Sequence, residues 1–117
     1  MLKRTSVLAA SVVFAFSALA ASAVSAEPIV GQWRAPGGGV VEVVPCQGDF
    51  CATVVSGEHK GKSVGRMSGT GASYSGTVTD PREDKTYDGT AAINGNTLKL
   101  QGCALKIFCK TQTWKRL

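Results

Sequence analysis

The sequence predicts a small all-β protein, an antiparallel barrel of seven to eight short strands, and three observations carry that prediction. Beyond residue 26 no stretch of ten or more residues repeats its apolar positions every 3.6 residues, whereas several stretches alternate with period two. All 14 glycines fall in that same region, a turn-rich composition that suits short strands better than long helices. Four cysteines, Cys46, Cys51, Cys103 and Cys109, form two closely spaced pairs that could each clip a hairpin. A row of hairpins leaves exposed edge strands, and closure into a barrel removes them.

The first 26 residues have a different character and read as a Sec-type signal peptide. Lys3 and Arg4 supply a positive start, Val7 to Ala21 carries no charge, and Ser22-Ala23-Val24-Ser25-Ala26 places small residues before a cleavage site after Ala26. The apolar run of 15 residues is shorter than the roughly 18–20 that span a bilayer. No cysteine follows the site, so a lipid anchor is not expected. Cleavage removes 26 of the 117 residues and leaves 91 from Glu27 onward, enough for one small domain over 27–117 with no transmembrane segment. That part has eleven basic and eight acidic residues, a net +3, too mild to argue for nucleic acid. The expected location is the periplasm or the extracellular medium.

Taken in order, Gly31-Gln32-Trp33-Arg34 reads as a first strand and Pro36-Gly37-Gly38-Gly39 as a turn. Val40 to Val44 is β-branched with one charge and reads as the second strand, and Ala52 to Val55 as its partner. Ser56 to Ser68, with His59, Lys60, Lys62 and Arg66 among glycines, is expected to be a loop. Ala72 to Val78 alternates as a half-buried strand, and Asp80-Pro81-Arg82-Glu83-Asp84 has Pro where a type I turn favours it. Lys85 to Ile93 resumes as a strand, Asn94-Gly95-Asn96 signals a tight hairpin, and Thr97 to Gln101 returns. Lys110 to Leu117 is the last strand, with Gln112, Trp114 and Arg116 sharing one face.

An even cysteine count in a small exported domain is read first as two disulfides. Four cysteines allow three pairings, and the spacing favours the local one, Cys46 with Cys51 and Cys103 with Cys109. Neither pair is a C-x-x-C and the chain has one histidine, so no metal, cofactor or redox role is expected of them.

Two sets of residues resemble known patterns. Gly31-x-Trp33, with Arg116 near the end of the chain, is similar to the lipocalin-like arrangement, in which a Trp of the first strand packs at the closed end of the barrel under an Arg of the last. A longer ordered set follows. It comprises Gly31-x-Trp33, Val41-Glu42-Val43 leading into Cys46, Cys51, Asp80-Pro81 and Thr86-Tyr87-x-Gly89. Leu98-x-Leu100-x-Gly102-Cys103 and Cys109-x-Thr111-Gln112-Thr113-Trp114-x-Arg116 complete it. This set resembles the domain-of-unknown-function 2147 (DUF2147) family of bacterial exported proteins over residues 29–117. The resemblance implies a compact lipocalin-like barrel closed by Trp33, Trp114 and Arg116, and no established activity. The Gly- and Lys-rich segment 57–66 departs from the longer aromatic stretch common in the family, so no ligand-binding role is carried over to it.

No constellation for catalysis stands out, and the chain is not expected to be an enzyme. His59 is the only imidazole after residue 26 and lies in a polar loop, where a base is not held to the required accuracy. Asp80, Glu83, Asp84 and Asp88 are interrupted by Arg82 and Lys85, which offer ion pairs in place of calcium or paired-carboxylate chemistry. Trp33, Tyr74, Tyr87 and Trp114 are expected to fill the barrel, whose interior suffices for side chains or one small ligand. Tyr74 and Tyr87 are also the candidates for touching such a ligand. Phe50 and Phe108 lie inside the two stapled turns, where they either plug the barrel ends or stand out as partner contacts; plugging is the plainer expectation. The resemblance to lipocalin-like barrels implies a non-enzymatic binding module for a small or apolar ligand. The alternative is a protein-binding module or inhibitor that presents its stapled loops to an envelope enzyme.

Overall fold

The computed structural model describes residues 27–105 and 107–117. The expected signal peptide and its cleavage site lie outside the described residues. Eight strands follow in order: β1 (Gly31–Arg34), β2 (Val40–Cys46), β3 (Asp49–Ser56), β4 (Ser63–Thr70), β5 (Ser73–Asp80), β6 (Lys85–Asn94), β7 (Thr97–Ala104) and β8 (Phe108–Arg116). Each pairs antiparallel with the next, and β8 returns to β1, so the sheet is a closed eight-stranded barrel. Among the described residues there is no helix long and apolar enough to cross a membrane.

Side-chain alternation builds the interior. Val41 and Val43 of β2, Ala91 and Ile93 of β6, and Leu98 and Leu100 of β7 are buried at spacing two; their neighbours in β6 and β7 meet solvent, whereas Val40 at the start of β2 is buried too. Trp33, Trp114, Phe50, Met67 and Tyr74 complete the core, and each large apolar side chain so buried stabilises the fold by roughly 1.5–3 kcal/mol. Two paired glycines let the strands bend. A Cβ on Gly76 would fall 2.0 Å from the Arg66 carbonyl oxygen, and one on its partner Gly89 would fall 2.1 Å from Val78.

The segment expected to be a loop, 56–68, is a turn at 57–62 followed by β4. Its apolar residues, Val64 and Met67, are three apart and do not alternate, which hid the strand. The register slips between Ala52 and Thr53, so β4 bulges at Val64 and both side chains reach the core.

Strand β1 is short for local reasons. Pro28 starts a turn closed by the Val30 N–H donating to the Glu27 carbonyl (2.9 Å), and Gly31 at φ +134° swings the chain into the sheet. Pro36 ends it two residues after Arg34. The preceding residues cross the barrel mouth and seal it: Ile29 is buried, and its carbonyl accepts from the Trp33 indole N–H at 2.9 Å. The Glu27 carboxylate accepts from the Thr70 hydroxyl (3.0 Å) and the Gly71 N–H (2.9 Å), tying this lid to the β4–β5 turn.

Candidate functional site

The sealed end uses the residues the lipocalin-like pattern singles out. The Arg116 guanidinium lies 4.1 Å from the centre of the Trp33 ring and donates to the carbonyls of Val30 (3.1 Å) and Pro28. A side chain at Gly31 would meet Arg116 at 3.0 Å, so this glycine answers a close approach as well as its φ. Trp114 is buried nearby in sequence register, its indole N–H held by Gln112 at 2.9 Å. Every group here is matched within the protein, which makes this end a closure.

Nor does the interior offer space. The residual cavity, lined by Val43, Phe50, Met67, Leu98, Leu100 and Trp114 among others, measures about 20 Å³ and is apolar. That is room for one water at most, and the wall gives a water no polar partner. Two of the candidate contact residues lie in the core and not at a surface: Tyr74 and Phe50 are both buried, edge to face at 5.6 Å between ring centres. Their side chains point inward because β3 and β5 are inner-facing at these positions. Burial pushes the Tyr74 hydroxyl upward in pKa, and the neighbouring Glu27 carboxylate adds to that rise.

The two disulfides, paired locally as the spacing favours, sit at opposite ends of the barrel: Cys46–Cys51 at the closed end and Cys103–Cys109 at the open one. Cys46 and Cys51 have Cα atoms 5.8 Å apart at the tip of β2–β3. Cys103 and Cys109 are directly opposed in the β7–β8 ladder, with Cα atoms 4.1 Å apart, close to the spacing of a non-hydrogen-bonded pair. Past that bridge the β7–β8 hairpin runs free of neighbours. The β6–β7 ladder ends at Asp88 and Cys103, and β1 meets β8 only at Lys115 and Arg116. Leu105, Ile107 and Phe108 on this projection are 83%, 77% and 71% exposed. Phe108 thus corrects the plugging expectation, since β7 flanks it on one side and no strand on the other. Tyr87, the remaining candidate, is half-buried and borders a broad open cleft with Lys85, Asp88, Ala104 and Leu105 at the base of the tip.

The acidic run closes on its own neighbours. Asp80 pairs with Arg82 (3.2 Å) and accepts from the Arg82 N–H (2.9 Å), Asp84 pairs with Lys62 (3.3 Å), and Glu83 faces Lys85 (3.9 Å). The Arg82 guanidinium and N–H hold the Asp80 carboxyl below the usual carboxylate range. His59 lies half-buried in the 57–62 turn, with no hydrogen bond to its side chain among the described residues. Leu105 and Ile107 were not singled out in the sequence. The signal was present as an apolar run between two cysteines, in a loop where polar residues are usual.

These features define a class: a small antiparallel barrel with a filled interior, a latched closed end and a stapled apolar projection at the other. Residues 62–116, from the end of the turn before β4 to the end of β8, match the family model described as "Uncharacterized protein conserved in bacteria (DUF2147)". Over that stretch, β4 to β8 of the eight-stranded barrel, the chain is similar to this family. The match contains the motifs from Asp80-Pro81 to Trp114-x-Arg116, whereas Gly31-x-Trp33 and the first cysteine pair lie before it. No curated protein and no solved structure matches the chain. The two disulfides and a bacterial family of this kind are consistent with an extracytoplasmic location.

Proposed function

We propose that the protein is a non-enzymatic, protein-binding module of the periplasm or extracellular medium, acting through its stapled β7–β8 hairpin. One observation carries the reading: Leu105, Ile107 and Phe108 stand in solvent on a hairpin whose strands are bridged directly below them. Apolar side chains held on a rigid support lose little freedom on binding, which is how a small contact area becomes an anchor. The filled interior moves the reading away from a small ligand inside the barrel and toward the surface. Tyr87 and the cleft beside Leu105 would take the flank of a partner. A photo-crosslinking residue placed at Phe108, compared with one at exposed Ser75 on β5, tests this in the native host. The expected result is one protein adduct of defined mass at position 108, lost when Leu105→Ser is added. Equal labelling at both positions would rule the reading out.

A further inference from the structure

The seam of the barrel is half open, and it opens beside the apolar projection. Strand β8 has nine residues, all paired with β7 up to Lys115, but β1 covers it only at Lys115 and Arg116. The direction of the uncovered groups follows from two hydrogen bonds. The Arg116 N–H donates to Asn96 on the β7 side (2.8 Å), and the Leu117 N–H donates to Gln32 on the β1 side (3.0 Å). Backbone groups alternate along a strand, and the β7–β8 ladder runs without a bulge, so Cys109, Thr111 and Thr113 direct their N–H and C=O groups away from β7. No described strand pairs with them. Across the gap, continuing the Arg34–Lys115 register would set Pro36, at the start of the β1–β2 turn, against Thr113, and Pro36 has no N–H to offer.

Charge marks the same region. From residue 89 onward the chain has no acidic residue and five basic ones, Lys99, Lys106, Lys110, Lys115 and Arg116, whereas 27–88 has eight acidic and six basic residues. All the ion pairs among the described residues fall between Asp49 and Lys85. Lys99, Lys110 and Lys115 are exposed, and Lys99 is the ladder partner of Thr113.

We infer that β8 accepts an extended, acidic segment of a partner protein as an added antiparallel strand along Cys109, Thr111 and Thr113. This rests on the reading of the β7–β8 hairpin as a protein-binding surface and specifies how it binds. Main-chain hydrogen bonds to three residues supply the register. Carboxylates on the outward face of the added strand lie within reach of Lys115 and Lys99, and its end runs toward Leu105, Ile107 and Phe108. A second copy of this chain is the poorer occupant, because β8 against β8 would bring Lys110, Lys115 and Arg116 of both copies together.

The probes are a short synthetic peptide of alternating glutamate and valine, its lysine-for-glutamate counterpart, and the glutamate peptide N-methylated at alternate residues. Binding is followed by NMR titration, with amide exchange read at Cys109, Thr111 and Thr113. The glutamate peptide is expected to bind and to slow exchange at those three amides. The lysine and N-methylated versions should each bind at least about tenfold more weakly. Thr111→Pro removes one open-edge donor; because that change can disturb the strand, the N-methylated probe carries the test if the variant misfolds. Shifts confined to Leu105–Phe108 without slowed exchange would overturn strand addition while leaving the apolar contact standing. Failure of the glutamate peptide to bind, exchange that slows only with rising protein concentration, or slowing only on anionic lipid vesicles would each overturn it too. The last two outcomes would assign the edge to a second copy or to a membrane surface.

Discussion

Phe50 and Phe108 hold equivalent places in their hairpins, each just before the second half-cystine, yet Phe50 is 9% exposed and Phe108 stands almost free. The difference lies in what flanks each hairpin. Phe50 pairs with Met67 across the β3–β4 ladder, and β4 continues past it to the barrel mouth. Its neighbour Asp49 is tied to β4 by Ser68 (2.6 Å) and Arg66 (3.0 Å). The β7–β8 tip is unpaired with β6 beyond Asp88 and meets β1 only at Lys115 and Arg116, so its apolar side chains stay uncovered. One covalent device thus secures a piece of core in the first hairpin and supports an exposed contact in the second.

The sharpest way to break this contrast is to truncate the two rings. Phe50→Ala removes a core side chain and should destabilise the protein by about 3–5 kcal/mol in urea unfolding. Phe108→Ala should change stability by less than about 0.5 kcal/mol. Comparable losses from both would show that the β7–β8 tip packs against the barrel in solution. Deleting the disulfides separates the hairpins differently. The bridged loops are nearly equal, with separations of five and six residues, so replacing either cysteine pair by alanine should cost about 2 kcal/mol through the unfolded chain. Local opening should differ. Without Cys46–Cys51, the amides of Asp49 to Cys51 remain protected by β4, whereas loss of Cys103–Cys109 should speed exchange across Ala104 to Cys109. Equal exchange in the two variants would contradict the assigned roles.

The parts legible in the sequence were those where one residue type forces a local outcome. Alternation marked β5, β7 and β8, β-branched content marked β2, Asn94-Gly95-Asn96 and Asp80-Pro81 marked hairpins, and cysteine spacing indicated the pairing. Strand β4 was lost because a bulge breaks the alternation that identifies strands, and a bulge depends on what the neighbouring strand does. The fate of Phe50 and Phe108 was unreadable for a related reason. Burial at a hairpin tip depends on how far the adjacent strands extend, and β1 stops at Arg34 because Pro36 follows, far away in sequence. The half-open seam follows from that same length. The charge separation was countable throughout, but the net value of the whole domain concealed it.

Acid should divide the two hairpins a third time, by a smaller amount. Ser68 and then Arg66 hold the Asp49 carboxyl below the usual carboxylate range, and the Gly71 N–H and Thr70 hydroxyl do the same for Glu27 at the closed end. A carboxyl whose pKa is depressed by folding contributes stability above its unfolded pKa, and that contribution is lost as pH falls through the folded value. The window therefore lies below about pH 4, where these groups take up protons. Wild-type urea midpoints should fall through that window, and Asp49→Asn should show a lower midpoint at neutral pH with a flatter acid limb. The β7–β8 hairpin has no carboxylate, so Lys110→Gln should leave the acid limb unchanged. A Lys110→Gln profile as flat as that of Asp49→Asn would mean that β8 does have a carboxylate partner in the folded protein, and its edge would no longer be open to an acidic strand.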